Sequence, residues 1–140
     1  ILPHKLVDIC DKLSARLIHI SSDCIFSGMK GFYSEDDIPD ATDLYGLSKK
    51  LGEIHSARHL TLRTSTIGHE INTKHGLLEW FLSQQNKCKG YKNAIFSGVP
   101  TEELGILLRD RILENDKIGG VYNVSSEPIS KFDLLTLTLT

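Results

Sequence analysis

Three side chains in the first third of the chain have the types and spacing to move a proton. Tyr45 and Lys49 are four residues apart, and Ser22 follows a short apolar segment upstream of them. Residues at positions i and i+4 of a helix share one face, so the phenol and the ammonium can point into the same space. A nearby ammonium stabilises the phenolate form of a tyrosine. With a serine hydroxyl to hold a substrate oxygen, the set predicts acid–base chemistry on an alcohol or a carbonyl.

The elements that must position these groups alternate between short apolar strands and amphipathic helices. This alternation is typical of an α/β fold with a parallel sheet. Asp43 is a suitable N-cap for the helix that carries Tyr45 and Lys49. Up to residue 66, the pattern predicts a helix over His4–Leu13, a strand over Arg16–Ile20, a loop over Ser27–Thr42, a helix from Leu44 to about Ala57, and a strand over His59–Ser65.

The second half of the chain continues the alternation less regularly. Trp80 and Phe81 lie on an apolar helix face and are predicted to pack in a core. The residues after Leu135 alternate in a way that fits a strand as well as a helix. The pattern predicts a loop over Ile67–Lys74, helices over Gly76–Gln85 and Glu102–Glu114 (the latter capped by Thr101), strands over Lys92–Ser97 and Gly120–Val124, and a last helix capped by Ser130.

Composition and charge restrict the possible functions. At 140 residues, with 40% hydrophobic and 24% charged residues, the chain has the size and composition of about one globular domain. A net charge of -2 gives no basic footprint for nucleic acid or an anionic membrane. No apolar run approaches a membrane span, and the start is unlike a signal peptide. Three widely spaced cysteines predict neither a disulfide framework nor a zinc site. We therefore expect a cytoplasmic protein without nucleic-acid or membrane partners.

Two segments carry a resemblance to a known family. Residues 20–28 read Ile-Ser-Ser-Asp-Cys-Ile-Phe-Ser-Gly, and residues 45–53 read Tyr-Gly-Leu-Ser-Lys-Lys-Leu-Gly-Glu. Their order and spacing, with an acidic loop between them, resemble the extended short-chain dehydrogenase/reductase family, and within it the sugar-nucleotide reductases similar to dTDP-4-dehydrorhamnose reductase. The resemblance implies NAD(P)H-dependent reduction of a nucleotide-linked 4-keto sugar, with Tyr45 as the proton donor.

The same resemblance implies an architecture. Residues 1–66 would form the second half of an NAD(P)-binding Rossmann domain. Residues 67–140 would be mainly a substrate-binding region, with one strand at about 120–124 returning to the sheet. The chain contains no Gly-rich phosphate-binding turn, which supplies the backbone amides for a pyrophosphate. We therefore expect a fragment that lacks the N-terminal half and is inactive by itself.

Roles for individual residues follow from the resemblance. The resemblance implies NADPH or NADH as the cofactor and a nucleotide-sugar substrate as the partner. It allows a homodimer, and it implies no metal site. Cys24 and Thr66 depart from the aromatic residues that the family often has at these places. The resemblance assigns Ser22, Tyr45 and Lys49 to catalysis, Ser21, Tyr45, Lys49 and Ser65 to the cofactor, and Ser22, Asp23 and Thr66 to the substrate.

Two alternatives share these residues. The first is a sugar-nucleotide epimerase or dehydratase of the same family, which would retain its nicotinamide cofactor. The second is a non-catalytic NAD(P)-binding regulatory subunit, similar to the regulatory beta subunit of methionine adenosyltransferase. The departures at Cys24 and Thr66 keep this second alternative open.

Overall fold

The computed structural model describes residues 2–139, which form two compact units. The first unit contains the described residues up to Ser65 together with Ile106–Val124, and the second contains Thr66–Gly105 and the described residues from Ser125 onwards. The helices are α1 (Leu2–Lys12), α2 (Leu44–Gly52), α3 (Leu77–Leu82), α4 (Thr101–Leu107) and α5 (Lys131–Leu137). The strands are β1 (Ile18–Ile20), β2 (Leu60–Thr64), β3 (Thr66–Ile67), β4 (Ile95–Phe96), β5 (Val99–Pro100), β6 (Gly120–Val124) and β7 (Ile129–Ser130).

A three-stranded parallel sheet forms the centre of the first unit. Its strand order is β1-β2-β6, with Ile18 opposite Leu60 and Leu60 opposite Gly120. Each of these strands lies within a segment that the sequence predicts as a strand. The α/β fold class with a parallel sheet is confirmed.

The core of the first unit lies between this sheet and the segment that precedes β6. Leu60, Leu62 and Ile112 are buried together there. The guanidinium of Arg16 donates to the carbonyl of Ile112 at 2.5 Å and to that of Asn115 at 2.6 Å. A cation that binds the free carbonyls at a helix end stabilises that end, so Arg16 fastens the segment to the sheet.

Helix α2 ends earlier than the sequence predicts. It stops at Gly52, whereas the pattern predicts helix to about Ala57. Glu53 instead has an extended backbone with ψ of 141°, and its carboxylate is paired with the guanidinium of Arg63 at 2.9 Å. The prediction is wrong because this tertiary ion pair outweighs the local helix propensity.

Two further helix predictions need correction. The helix predicted over Glu102–Glu114 is α-helical only over Thr101–Leu107 and continues as a π-helical turn over Leu108–Ile112. Thr101 is the first residue of α4 rather than its cap. Helix α1 begins by Leu2, so Pro3 lies in its first turn, where a missing N–H costs no hydrogen bond.

The second unit contains two small sheets and three buried apolar residues. Strands β3 and β5 pair in parallel, and β4 and β7 pair antiparallel. Residue 67, predicted as loop, belongs to β3. Phe81, Leu104 and Leu135 are buried, but Trp80 is 40% exposed, so its predicted core position is wrong. Ser130 caps α5 by accepting from the Asp133 amide at 3.0 Å, which decides between helix and strand at this end.

None of the helices within residues 2–139 has the length and apolar character needed to cross a lipid bilayer.

Candidate functional site

Hydroxyl groups and a carboxylate meet where β1 and β2 end. Ser22 lies two residues after β1, and Ser65 directly follows β2. The Ser65 hydroxyl donates to Oδ1 of Asp23 at 2.5 Å, and the Ser22 hydroxyl approaches the same oxygen at 3.4 Å. We call Ser22, Asp23 and Ser65 the strand-end cluster. Ligands of open parallel sheets bind at the carboxyl ends of the strands, so the cluster occupies a position suited to binding.

Ser22 and its neighbour Ser21 are both buried but differ in their partners. The Ser22 hydroxyl accepts from the Cys24 amide at 3.1 Å and so caps the 3₁₀ turn Asp23–Ile25. The Ser21 amide donates to the carbonyl of Leu62 at 2.7 Å, which extends the pairing of β1 with β2. The Ser21 hydroxyl is buried without a hydrogen-bond partner among the residues that the structure describes. A buried orphan hydroxyl is costly unless a ligand satisfies it.

Tyr45 and Lys49 lie on α2, as the sequence predicts. The carboxylate of Asp43 accepts from the Gly46 amide at 2.9 Å, which confirms Asp43 as the N-cap. Tyr45 is in the first turn and is 55% exposed. Lys49 extends its Nζ to the carbonyl oxygen of Ile20 at 3.3 Å. The ammonium therefore lies at the end of β1, the strand that leads into Ser21 and Ser22.

Gly46 brings the first turn of α2 against the turn that follows Ser22. A Cβ atom at this position would lie 2.4 Å from the carbonyl oxygen of Cys24 and 2.5 Å from Cβ of Ala41. Only a glycine allows α2 to approach the turn Asp23–Ile25 this closely. The contact holds Tyr45, the residue before Gly46, next to the turn that contains Asp23. The sequence shows this glycine directly after the tyrosine, but the partner across the contact could not be inferred from it.

Replacing Gly46 by alanine should destabilise the first unit and displace Tyr45. The new methyl group meets a backbone carbonyl, and overpacking of this kind costs about 1–3 kcal/mol. Urea unfolding of the variant measures the loss. Gly105→Ala is the matched control, because its new methyl group meets no atom within 4 Å. Glycine-to-alanine changes at such sites raise the free energy of unfolding by about 0.4–1 kcal/mol. Equal stability of the two variants would contradict the contact.

His19 is the titratable group beside Lys49 with a shifted pKa. Burial, then the charge of Lys49, lowers the pKa of His19 from its ordinary value of 6.5; Glu53 opposes this shift and His4 adds to it. Its Nε2 is buried without a hydrogen-bond partner among the described residues. Burial and the charge of Lys49 thus favour the neutral imidazole.

The pH dependence of stability should reflect this histidine. Because the pKa is lower in the folded state, the unfolded chain binds more protons, and stability falls as the pH drops below 6.5. His19→Asn should flatten the change in unfolding free energy between about pH 7.5 and pH 5.5. The carboxyl groups of Asp37 and Asp40, with lowered pKa values, titrate below this window. An unchanged slope in the variant would show that His19 does not contribute.

The acidic loop between the two segments is fixed by its own side chains. The carboxylate of Glu35 accepts from the Asn123 amide at 2.7 Å. Asp37 accepts from Lys30 and from the amide of Ser34, and these bonds lower the pKa of its carboxyl group. Within residues 2–139, no three acidic, histidine or cysteine side chains come together in a way that could hold a metal ion.

The remaining residue singled out by the sequence belongs to the other unit. Thr66 begins β3 and pairs with Val99 in the second unit, whereas Ser65 belongs to the first unit. The structure therefore brings Ser22, Asp23 and Ser65 into one hydrogen-bonded cluster, with Lys49 at the adjacent strand end. The contact between Asp23 and Ser65, 42 residues apart, has no signal in the local sequence.

Known proteins share this architecture and part of the sequence. Residues 2–93 match the family described as the RmlD substrate binding domain. The spore coat polysaccharide biosynthesis protein SpsK of Bacillus subtilis (strain 168) is 45% identical over 58 residues, which cover 40% of this chain and 19% of that protein. A hypothetical dTDP-4-dehydrorhamnose reductase from Sulfolobus tokodaii superimposes with a TM-score of 0.81 and 27% identity, covering 96% of this chain and 49% of that one.

Two more distant structures share the fold. The dTDP-4-dehydrorhamnose reductase of Bacillus anthracis str. Ames, in complex with NADP, has a TM-score of 0.74 at 23% identity, covering 89% of this chain and 46% of that one. WbmG of Bordetella bronchiseptica, in complex with NAD and UDP, has a TM-score of 0.75 at 20% identity. The match covers 98% of this chain and 47% of WbmG. The chain thus spans about half the length of the solved structures that it matches. With more than half of its residues matched by the family, the chain belongs to the RmlD substrate-binding-domain family.

Proposed function

We propose that the protein to which this chain belongs reduces a nucleotide-linked 4-keto sugar with NADPH or NADH, and that Tyr45 donates the proton. The observation that carries the proposal is the hydrogen-bonded strand-end cluster, whose members Ser22 and Asp23 belong to the turn that contacts the first turn of α2, with Lys49 at the end of β1. Family membership and the similarity to a hypothetical dTDP-4-dehydrorhamnose reductase support the same reaction.

Residues at the end of β1 suit a nicotinamide nucleotide. The orphan hydroxyl of Ser21 offers an unused donor and acceptor, and Lys49 carries a cation to the same strand end. By resemblance, Lys49 would bind the ribose hydroxyls, with Tyr45, Ser21 and Ser65 beside the cofactor. NADP and NAD are bound by two proteins of the same fold. When bound, the reduced cofactor supplies the hydride for the sugar carbonyl carbon.

The protein's own groups complete the reduction at oxygen. Tyr45 gives its phenolic proton to the carbonyl oxygen as the carbonyl becomes a hydroxyl, and the ammonium of Lys49 stabilises the phenolate that remains. The Ser22 hydroxyl accepts from the Cys24 amide and makes only a long 3.4 Å contact to Asp23 as a donor, so it can turn to donate to the same oxygen. Asp23 orients Ser22 and Ser65 and accepts from sugar hydroxyl groups, with Thr66 on the substrate side.

The two units receive separate roles in this proposal. The first unit, with the parallel sheet and the strand-end cluster, would be part of the cofactor-binding domain. The second unit would bind the nucleotide sugar. A nucleotide-sugar substrate fits a cytoplasmic location. We also expect a homodimer, and light scattering of the full-length protein tests this expectation.

Turnover by the full-length protein decides the reaction. We expect oxidation of NADPH or NADH in step with formation of a 4-hydroxy sugar from a panel of 4-keto sugar nucleotides. Retained NAD⁺ with product formed but no net cofactor consumption would instead identify an epimerase or a dehydratase. No turnover, together with co-purification of a larger enzyme, would indicate the regulatory subunit and reject the reductase.

A further inference from the structure

We propose that Arg63 is a positioning residue that sets Tyr45 against the strand-end cluster through one buried and one half-buried contact. This inference rests on the proposed function. One contact joins β2 to the end of α2, and the other joins β2 to the loop of residues 26–41, hereafter the 26–41 loop. Because this loop connects the turn after Ser22 to the helix that carries Tyr45, a single cation fixes both partners of the reaction centre.

The first contact is a buried, two-point ion pair with Glu53. Nε of Arg63 donates to Oε1 of Glu53 and Nη2 donates to Oε2, both at 2.9 Å. The two side chains are 2% and 1% exposed. Glu53 directly follows α2, and Arg63 lies on β2, two residues before Ser65. The pair therefore ties the helix of Tyr45 and Lys49 to the strand that supplies a member of the cluster.

The second contact is between the guanidinium and an aromatic stack in the 26–41 loop. Cζ of Arg63 lies 5.3 Å from the centroid of the Phe26 ring, within the range of a cation–π interaction. The ring of Tyr33 stacks on Phe26 with 4.4 Å between centroids and 12° between planes. Nη1 of Arg63 also reaches the carbonyl of Glu35 at 3.5 Å. The cation thus supports the loop at its first residue and near its middle.

The base of the 26–41 loop is closed by hydrogen bonds. The Ala41 amide donates to the Ile25 carbonyl at 2.9 Å. The amide and the hydroxyl of Ser27 donate to the carboxylate of Asp40 at 2.7 and 2.6 Å. These bonds link the two ends of the loop, so we expect a displacement at Phe26 to reach both of them.

Stability alone does not account for this arrangement. A buried ion pair loses hydration, and apolar side chains of similar volume are often as stabilising or more so. Positioning does account for it, because the planar guanidinium offers a fork to the carboxylate and a face to Phe26 at once. Proton transfer depends steeply on geometry, and a misplacement of about 1 Å can cost about 100-fold in rate.

The experiment compares Arg63→Lys with Arg58→Lys in the full-length protein. Lysine keeps the charge but has neither the fork nor the planar face. We expect Arg63→Lys to lower kcat by about 10- to 100-fold, to leave the KM for the cofactor within about twofold, and to accelerate hydrogen exchange in residues 26–41. Arg58, in a half-exposed pair with Asp11, is the matched control and should change none of the three.

A second pair of variants isolates the aromatic contact. Phe26→Leu leaves the ion pair intact but removes the ring, so it should also accelerate exchange in the 26–41 loop and lower kcat. Phe26→Tyr keeps the ring face and should restore both. If Arg63→Lys fails to fold, this pair alone decides the proposal.

The outcomes separate this inference from the proposed function. Unchanged kcat and unchanged loop exchange in an active enzyme overturn the positioning role and leave the reductase intact. A wild-type protein that reduces no sugar overturns the reductase, and hydrogen exchange then decides by itself: faster exchange in Arg63→Lys and Phe26→Leu supports the anchoring of the loop, and unchanged exchange refutes it.

Discussion

Replacing Tyr45 by phenylalanine should lower the rate of carbonyl reduction by about 10²- to 10⁴-fold, the usual contribution of a positioned general acid. The substitution removes one hydroxyl group and keeps the ring. The contact of Gly46 with Cys24, the cap at Asp43 and the bond from Lys49 to Ile20 do not involve that hydroxyl. The loss should therefore fall on kcat, with the KM for NADPH or NADH nearly unchanged.

Initial rates of NADPH oxidation with the accepted 4-keto sugar nucleotide measure this effect. Tyr91→Phe is the matched control, since Tyr91 is an exposed tyrosine of the second unit to which no role is assigned. It should retain the wild-type rate. A Tyr45→Phe variant that keeps more than about a third of the activity would exclude the phenol as the general acid.

Replacing Arg63 by methionine should cost about 3–5 kcal/mol of folding free energy, the largest stability effect that we expect in the first unit. The change removes both 2.9 Å bonds from the carboxylate of Glu53, which is 1% exposed, and leaves it with His55, whose Nε2 lies 3.8 Å away. Removing both charges in Glu53→Leu/Arg63→Met should recover most of the loss, because apolar pairs of similar volume replace buried ion pairs well.

Urea unfolding of the wild type, the single variant and the double variant measures these values. Arg58→Met is the control, because its pair with Asp11 is about half exposed on both sides and such pairs contribute about 0–1 kcal/mol. A loss of less than about 1 kcal/mol in Arg63→Met would mean that water or another group satisfies Glu53.

The features predicted well from sequence are those encoded within a few consecutive residues. Apolar segments identified β1, β2 and β6, and Asp43 was recognised as a cap from the residues that follow it. The parallel sheet followed from their alternation with helices. The presence of Tyr45 and Lys49 on one helix needs only their spacing.

The features that sequence did not predict depend on contacts between distant segments. The early end of α2 follows from the pairing of Glu53 with Arg63, ten residues further on. The cluster at the strand ends depends on Asp23 meeting Ser65, and the approach of α2 depends on the carbonyl of Cys24. No local propensity contains this information, because each contact is decided by how the elements pack.

The closed base of the 26–41 loop has a consequence for how this family can diverge. Ser27, Asp40 and the bond from Ala41 to Ile25 act as a clasp, beyond which Met29, Phe32 and Ile38 project with 90%, 94% and 82% of their surface in solvent. Substitutions at these three exposed positions leave the bonds of the clasp and the contacts of Arg63 with Phe26 and Glu35 in place. The side chains at these positions can therefore vary at little cost to the fold beneath them.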